Sequence, residues 1–283
     1  MLTSALIKEA CADLEKKYFD YFVHHFAEWM KWAKASQRVA DREPVSVEEI
    51  PEAFRTECKL MQAIVEMQDL GKFDWNNPIL VKLFGELAQG PFYTFYGDII
   101  TKIALRLAQV SGITTLIEIG AGKANLTGIM LKQMNAIPFS LPIVTTDSQP
   151  VILENTEKLK ADFPEAHLTP LLWNVTDVPS EELQAAVKSP ALLYERYTLN
   201  YANTSAFKNL ARIADILVLG DWFNYTGELF AYDYVFQKIG AKPLFYKDIK
   251  PLLDEYFPNQ HIFDQRAQDA LKIPNITMLI AWK

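Results

Sequence analysis

The sequence predicts an α/β protein in which an all-helical N-terminal region precedes a parallel sheet with helices on both faces. Through residues 1–110, apolar residues recur every three or four positions, as on amphipathic helices. From Thr114 onward, short apolar runs alternate with helical segments, which is typical of parallel strands joined by crossover helices. A turn with two glycines follows the first of these runs, where α/β proteins bind nucleotide-like ligands.

The N-terminal region is expected to form a long first helix and three shorter ones. The shorter helices are predicted at 51–70, 78–88 and 93–109, and Gly71 and the Gly90-Pro91 pair mark the ends of two of them. A single apolar stripe predicts the first helix, and it consists of Leu6, Ala10, Leu14, Tyr18, Phe22, Phe26, Trp29 and Ala33.

The rest of the chain is expected to alternate between strands and helices. Strands are predicted at 115–119, 142–147, 168–174, 191–197, 215–221, 260–265 and 275–282. Helices are predicted at 123–135, 150–161, 180–187, 203–213, 228–239 and 247–256. Because ligands of open α/β sheets bind beyond the carboxyl ends of the strands, the last residues of each strand are the candidates for a site.

Composition excludes several classes of partner. The formal net charge of −7 and the lack of a Lys/Arg run argue against nucleic acid. Cys11 and Cys58 are too far apart for metal-ligand spacing, so we expect no metal site and a reduced, cytoplasmic protein. Since no apolar run reaches the length of a membrane span, we expect no membrane partner. The composition leaves the oligomeric state open.

The first glycine turn indicates the kind of ligand. Residues 115–125 read TLIEIGAGKAN, with Glu118 two positions before Gly120 and Gly122 two after it. The Glu118 carboxylate would repel the pyrophosphate of a dinucleotide, and Asn125 stands where that fingerprint has its third glycine. A ligand with positive charge and no phosphate suits the turn better. An ordinary glycine turn between a strand and a helix is the alternative.

This stretch resembles the acidic-x-Gly-x-Gly motif of class I S-adenosylmethionine (SAM)-dependent methyltransferases, with Ala124 where many members have a further glycine. The resemblance covers about residues 90–283. It implies a Rossmann-like fold with seven mostly parallel strands, the seventh antiparallel beside the sixth. It also implies a SAM-binding methyltransferase domain at 91–283 and a helical cap at 1–90, as in many small-molecule methyltransferases.

The resemblance also implies which residues bind the cofactor. Asp147 would hold the ribose hydroxyls, with Ser148 beside it, although Asp147 can also be a turn residue before Pro150. The long spacing from Glu118 to Asp147, with Thr-Asp-Ser at its end, resembles the C-methyltransferase domains of polyketide synthases. The remaining candidates are Glu118, Gly120, Gly122 and Asn125 at the turn, Asn174 and Val175 (or Asp177) at the adenine, and Tyr96 as a closing aromatic.

Candidate catalytic residues follow the fourth and fifth predicted strands. Polyketide C-methyltransferases have Asn-Val-Leu-His at the fourth strand, whereas this chain has Glu195, Arg196 and Tyr197. Asp221 and an aromatic group that includes Trp222 end the fifth strand. We expect Glu195 or Asp221 to act as a general base where one is needed, and Tyr197 to position the nucleophile. His24 and His25 on the first helix are weaker candidates.

The function that follows is SAM-dependent methylation of a small organic molecule, with O-, N- and C-methylation left open. The aromatic and acidic sheet edge favours such a substrate over nucleic acid. Two alternatives remain, a non-catalytic SAM-binding or scaffold protein and an NAD-dependent oxidoreductase of similar fold. Glu118 and the missing third glycine argue against the oxidoreductase.

Overall fold

The fold is described from a computed structural model. It describes residues 2–72, 74, 77–199, 202–221, 223–224, 232–238, 240, 242–263, 265–271, 275–276 and 278–283. The chain forms two compact units. The first, here called the sheet unit, contains Met1–Phe19, Tyr96–Tyr225 and Leu244–Lys283. The second, here called the helical unit, contains Asp20–Phe95 and Thr226–Pro243.

The N-terminal helices confirm the predicted pattern. They are α1 (Ser4–Ala40), α2 (Arg55–Asp69), α3 (Pro78–Leu87) and α4 (Pro91–Ser111). Short 3₁₀ turns at Val47–Glu49 and Glu52–Phe54 lead from α1 to α2. Along the α1 stripe, Leu14, Tyr18, Phe22 and Trp29 are all buried, so this stripe is the packed face of the helix.

The main sheet has seven strands in the order β3-β2-β1-β4-β5-β9-β7. Its parallel strands include β1 (Thr115–Ile119), β2 (Ile143–Asp147), β3 (Leu168–Leu172), β4 (Ala191–Arg196) and β5 (Ile216–Gly220). A two-stranded sheet pairs β6 (Phe223–Asn224) with β8 (Asn275–Ile276). Finally, β9 (Leu279–Trp282) runs antiparallel to both β5 and β7 (Asn259–Ile262), which confirms the predicted antiparallel last strand.

Helices connect the strands nearly as expected. They are α5 (Asn125–Asn135), α6 (Val151–Asp162), α7 (Glu181–Ala186), α8 (Ser205–Leu210), α9 (Tyr232–Lys238), α10 (Tyr246–Tyr256) and α11 (Gln265–Leu271). The prediction of one strand over 275–282 was wrong, because its first residues pair with β6 instead of the main sheet. Helix α11 was not predicted. Residues 228–231 and 239 of the predicted helix at 228–239 lie outside the described residues.

The core of the sheet unit explains why the central strands are almost continuously apolar. Every residue of β1 and β5 is buried, as expected for strands covered on both faces. Phe207 of α8 and Leu253 of α10 belong to the same buried cluster as Leu193 and Leu217 of the sheet. The edge strand β3 is less buried, with Leu172 half exposed.

The first residues of α1 pack within the sheet unit. The Arg106 guanidinium pairs with Asp13 and donates to the carbonyl of Ala10 at 2.8 Å. The Tyr18 ring lies 6.0 Å from that of Tyr96, between ring centres. The predicted division into a cap of residues 1–90 and a domain of residues 91–283 remains a prediction. Among the described helices, none combines the length and apolar character that crossing a bilayer requires.

Candidate active site

The glycine turn, residues 120–124, joins β1 to α5 at the carboxyl edge of the sheet. Gly120 and Gly122 have φ angles of +60° and +50°, which glycine adopts without strain. Ala124 has φ +54° directly before α5, where a side chain costs about 1 kcal/mol. The Asn155 side chain donates to the carbonyl of Gly122 at 3.0 Å and holds the turn from α6. The backbone conformation is therefore the one that a glycine motif provides.

Asp147 ends β2 beside this turn, and the structure brings the two together. The N–H of Gly122 donates to Oδ2 of Asp147 at 2.9 Å, and the N–H of Gln149 donates to Oδ1 at 2.8 Å. The bond to Gln149 is the turn interaction that the sequence allowed as an alternative. Because each carboxylate oxygen can accept more than one hydrogen bond, a half-buried Asp147 keeps capacity for a ligand. Ser148 is exposed next to it.

Glu118 lies below the turn in the core of the sheet unit. Its side chain is almost fully buried, and it accepts hydrogen bonds from the hydroxyls of Thr127 and, at 3.5 Å, Tyr194. Burial raises the pKa of Glu118 to about 7, although the Thr127 hydrogen bond and the Arg196 charge lower it in part. The carboxyl group is thus poised to change its charge near neutral pH.

The other predicted cofactor residues are less closely grouped. Asn174, after β3, is exposed, and its Oδ1 accepts from the N–H and the hydroxyl of Thr176 at 3.1 and 2.9 Å. Val175 is part of the buried core, and its carbonyl accepts from the Asn209 side chain at 3.1 Å. Asp177 is exposed. Asn125 is half-buried as the first residue of α5.

The ends of β4 and β5 carry two buried acids. Glu195 and Asp221 are both 0% exposed. The N–H of Thr198 donates to Oε2 of Glu195 at 2.9 Å. Burial, followed by the charge of Asp221, raises the pKa of Glu195 well above its usual range. The structure therefore places the two predicted acids in each other's electrostatic field.

Tyr197 and Tyr96 also come together. Tyr197 has φ +59°, and its N–H donates to the carbonyl of Gly220 at 3.0 Å. The Tyr197 ring stacks on Tyr96 with 5.5 Å between ring centres. Trp222 lies outside the described residues. In the helical unit, the His25 ring is 3.3 Å from the Glu28 carboxylate, and His24 is exposed.

Three residues of this edge had no predicted role. Thr127 supports Glu118, and Thr198 contacts Gly120 so closely that any side chain there would overlap it. Arg196 lies against Gly97 of α4, where an added Cβ would be 3.0 Å from the guanidinium. Only Thr127 had a usable signal, since it lies in the first turn of the helix that follows the glycine motif.

No protein-family model and no curated protein matches the sequence. The structure is similar to the CMeT domain of citrinin polyketide synthase, with a TM-score of 0.61, 14% identity and coverage of 81% of this chain and 65% of that chain. The DszA carbon methyltransferase has a TM-score of 0.62 and 14% identity, with coverage of 82% of this chain and 66% of that chain. The CurJ carbon methyltransferase has a TM-score of 0.57 and 15% identity, with coverage of 88% of this chain and 70% of that chain. This chain thus spans about two thirds of the length of those structures.

At these identities the comparisons establish the fold alone. The chain has the Rossmann-like fold of class I SAM-dependent methyltransferases, with additional N-terminal helices.

Proposed function

We propose that this protein is a SAM-dependent methyltransferase that acts on a small organic molecule. The proposal rests on one observation, the hydrogen bond from the Gly122 N–H to the Asp147 carboxylate at the carboxyl edge of the sheet. It joins an open backbone turn to an acidic acceptor of hydroxyl groups. In open α/β sheets this edge is where ligands bind.

The residues at this edge fit SAM. The turn offers glycine backbone for close approach, and the free acceptor capacity of Asp147 suits the two ribose hydroxyls. The exposed Asn174 amide is placed to form a hydrogen bond with the adenine. Glu118 adds a carboxyl group near a ligand that carries an ammonium and a sulfonium, whereas it would oppose a pyrophosphate. Tyr96 would contribute through its contact with Tyr197.

The chain's own contribution to methyl transfer would be alignment and the exclusion of water. SAM, when bound, supplies a methyl group that is already activated for displacement. Tyr197 and Asp221 lie at the ends of β4 and β5, where they can orient a nucleophile or take up its proton. A strictly aligned, dry site is sufficient for this chemistry when the nucleophile has no proton to lose.

A small-molecule substrate is supported by the acidic, aromatic character of this edge and by a net charge of −7. The similar structures named as carbon methyltransferases favour carbon as one acceptor atom. The Glu195-Arg196-Tyr197 sequence at the fourth strand differs from the Asn-Val-Leu-His of polyketide C-methyltransferases, which keeps O- and N-methylation as alternatives. The buried free thiols of Cys11 and Cys58 support a cytoplasmic location.

Calorimetric titration with SAM, S-adenosylhomocysteine (SAH) and NADH tests the proposal. We expect micromolar binding of SAM and SAH, about −8 kcal/mol, and no binding of NADH. Binding of NADH alone would favour the oxidoreductase. Binding of SAM without methyl transfer to any member of a broad metabolite panel would favour a non-catalytic SAM-binding protein, and no binding of either ligand would refute the proposal.

A further inference from the structure

Glu195 is buried beneath residues that border the candidate site, and its carboxyl group is bonded to one of them. We propose that Glu195 is a positioning residue, which holds residues 197–199, here called the β4 turn, against the glycine turn and does not itself touch the reacting atoms. This inference rests on the proposed function. It replaces the expectation that Glu195 acts as a general base.

The first step of the argument is burial. Glu195 is 0% exposed and lies opposite Leu219 in the pairing of β4 with β5, in the centre of the sheet. A general base must come within hydrogen-bond distance of the proton that it removes. Asp221 is equally buried, but it follows the last paired residue of β5, whereas Glu195 lies inside the pairing of the two strands. Glu195 can therefore reach a substrate only if the ends of both strands move apart.

The second step is the state of the carboxyl group. Oε2 accepts the Thr198 N–H at 2.9 Å, while Oε1 is buried and has no hydrogen-bond partner among the described residues. An ionised carboxylate with one oxygen left unsatisfied in the core would be very unfavourable. Burial and the charge of Asp221 therefore keep the pKa of Glu195 well above its usual range, although the backbone N–H groups of Thr198, Gly220 and Leu199 lower it in part. The unsatisfied Oε1 and the charge of Asp221 both disfavour the ionised form, which is the form that a general base needs.

The third step is what Glu195 holds. The β4 turn begins with Tyr197 at φ +59°, a conformation that a side chain tolerates only where its surroundings fix it. Its N–H donates to the carbonyl of Gly220 on β5. The Thr198 hydroxyl then donates to the carbonyl of Ile119 on β1 at 3.2 Å. Hydrogen bonds thus join the β4 turn to the adjacent strands β1, β4 and β5. Thr198, the central residue of the turn, donates the bond to Glu195.

The last step links this turn to the cofactor site. The Thr198 side chain lies directly against Gly120, so its position limits the space above the glycine turn. The Tyr197 ring stacks on Tyr96. Without the acceptor at Glu195, the Thr198 N–H would lose its partner and the turn could relax away from both contacts. The expected consequence is weaker cofactor binding, which the loss of a base would not cause.

Calorimetry with SAH on the wild type and four variants tests this inference. Glu195→Gln keeps a neutral side chain with an oxygen for the Thr198 N–H, so we expect its dissociation constant to stay within about threefold of the wild type. Glu195→Ala and Glu195→Leu remove the acceptor and should weaken SAH binding by about tenfold or more. Leucine fills the space, so this variant remains informative if the alanine variant does not fold. Glu165→Gln, at an exposed position, is the matched control.

Rescue by glutamine with loss in leucine supports the positioning role. Unchanged SAH affinity in Glu195→Leu would overturn it, and so would a Glu195→Gln variant that binds as weakly as Glu195→Leu. If the wild type and the Glu165→Gln control bind neither SAM nor SAH, the proposed function fails, and the inference fails with it. Wild-type binding that persists in Glu195→Leu refutes the inference alone.

Discussion

Replacing Asp147 by alanine is the perturbation that addresses the cofactor site most specifically. The carboxylate already accepts two backbone N–H groups, from Gly122 at 2.9 Å and from Gln149 at 2.8 Å. Its remaining acceptor capacity is what would bind two hydroxyls of SAM. The substitution therefore removes a charged acceptor from the ligand and one anchor from the glycine turn.

The expected loss of binding follows from these contacts. Hydrogen bonds to a charged group contribute about 1.5–3 kcal/mol, and water partly replaces them at a half-buried site. We expect SAM and SAH to bind about 2–3 kcal/mol more weakly, which is roughly a 30- to 150-fold increase in dissociation constant. The loss of the two internal bonds should lower the free energy of unfolding by only about 1 kcal/mol.

Calorimetric titration of Asp147→Ala with SAH measures the first effect, and urea unfolding measures the second. Asp162→Ala is the control, because Asp162 is exposed at the end of α6, away from the glycine turn. Asp147→Asn should give an intermediate affinity, since it keeps one oxygen acceptor but no charge. An unchanged dissociation constant for Asp147→Ala would show that Asp147 is only a turn residue.

Three further predictions concern other parts of the chain. Glu118 has a raised pKa, so the stability that its proton provides is fully present below about pH 4.5 and is lost as the pH rises through about 7. Between pH 5 and 8, the free energy of unfolding measured in urea should therefore fall by on the order of 2–3 kcal/mol less in Glu118→Gln than in the wild type, and an equal fall would contradict this. A fragment that begins at Gly90 lacks Tyr18 and the rest of α1, so it should expose apolar surface and aggregate in gel filtration, unlike the full chain; a soluble, monomeric and fully active fragment would contradict the helical-cap hypothesis. Once a substrate is known, Tyr197→Phe and Asp221→Asn should lower turnover by roughly 100-fold for a true acid–base group and leave the SAH dissociation constant nearly unchanged, whereas wild-type turnover in both would place the active site elsewhere.

The main elements of the fold were predictable because their signals are local. The α1 stripe repeats at helical spacing, and the central strands are short apolar runs that end at turns. The pairing of β6 with β8 was not predictable, since two-residue strands carry no period and depend on contacts far apart in sequence. The grouping of Met1–Phe19 with the sheet unit is a long-range packing result of the same kind.

The sequence predicted where the candidate site residues lie along the sheet better than it predicted how deeply each of them is buried. The glycine turn and Asp147 were expected at one edge because each follows a predicted parallel strand, and the structure joins them by a hydrogen bond. The burial of Glu195 could not be read from its place at a strand end, because it depends on pairing with β5 and on the β4 turn. Val175 shows the same limit, since its side chain belongs to the core.

The most direct test of the central claim is a crystal structure of the protein grown with SAH. The account predicts that the ribose hydroxyls lie within hydrogen-bond distance of the Asp147 carboxylate and that the amino-acid end lies along the glycine turn. SAH bound at a different edge of the sheet, or a glycine turn that stays empty at saturating SAH, would contradict it.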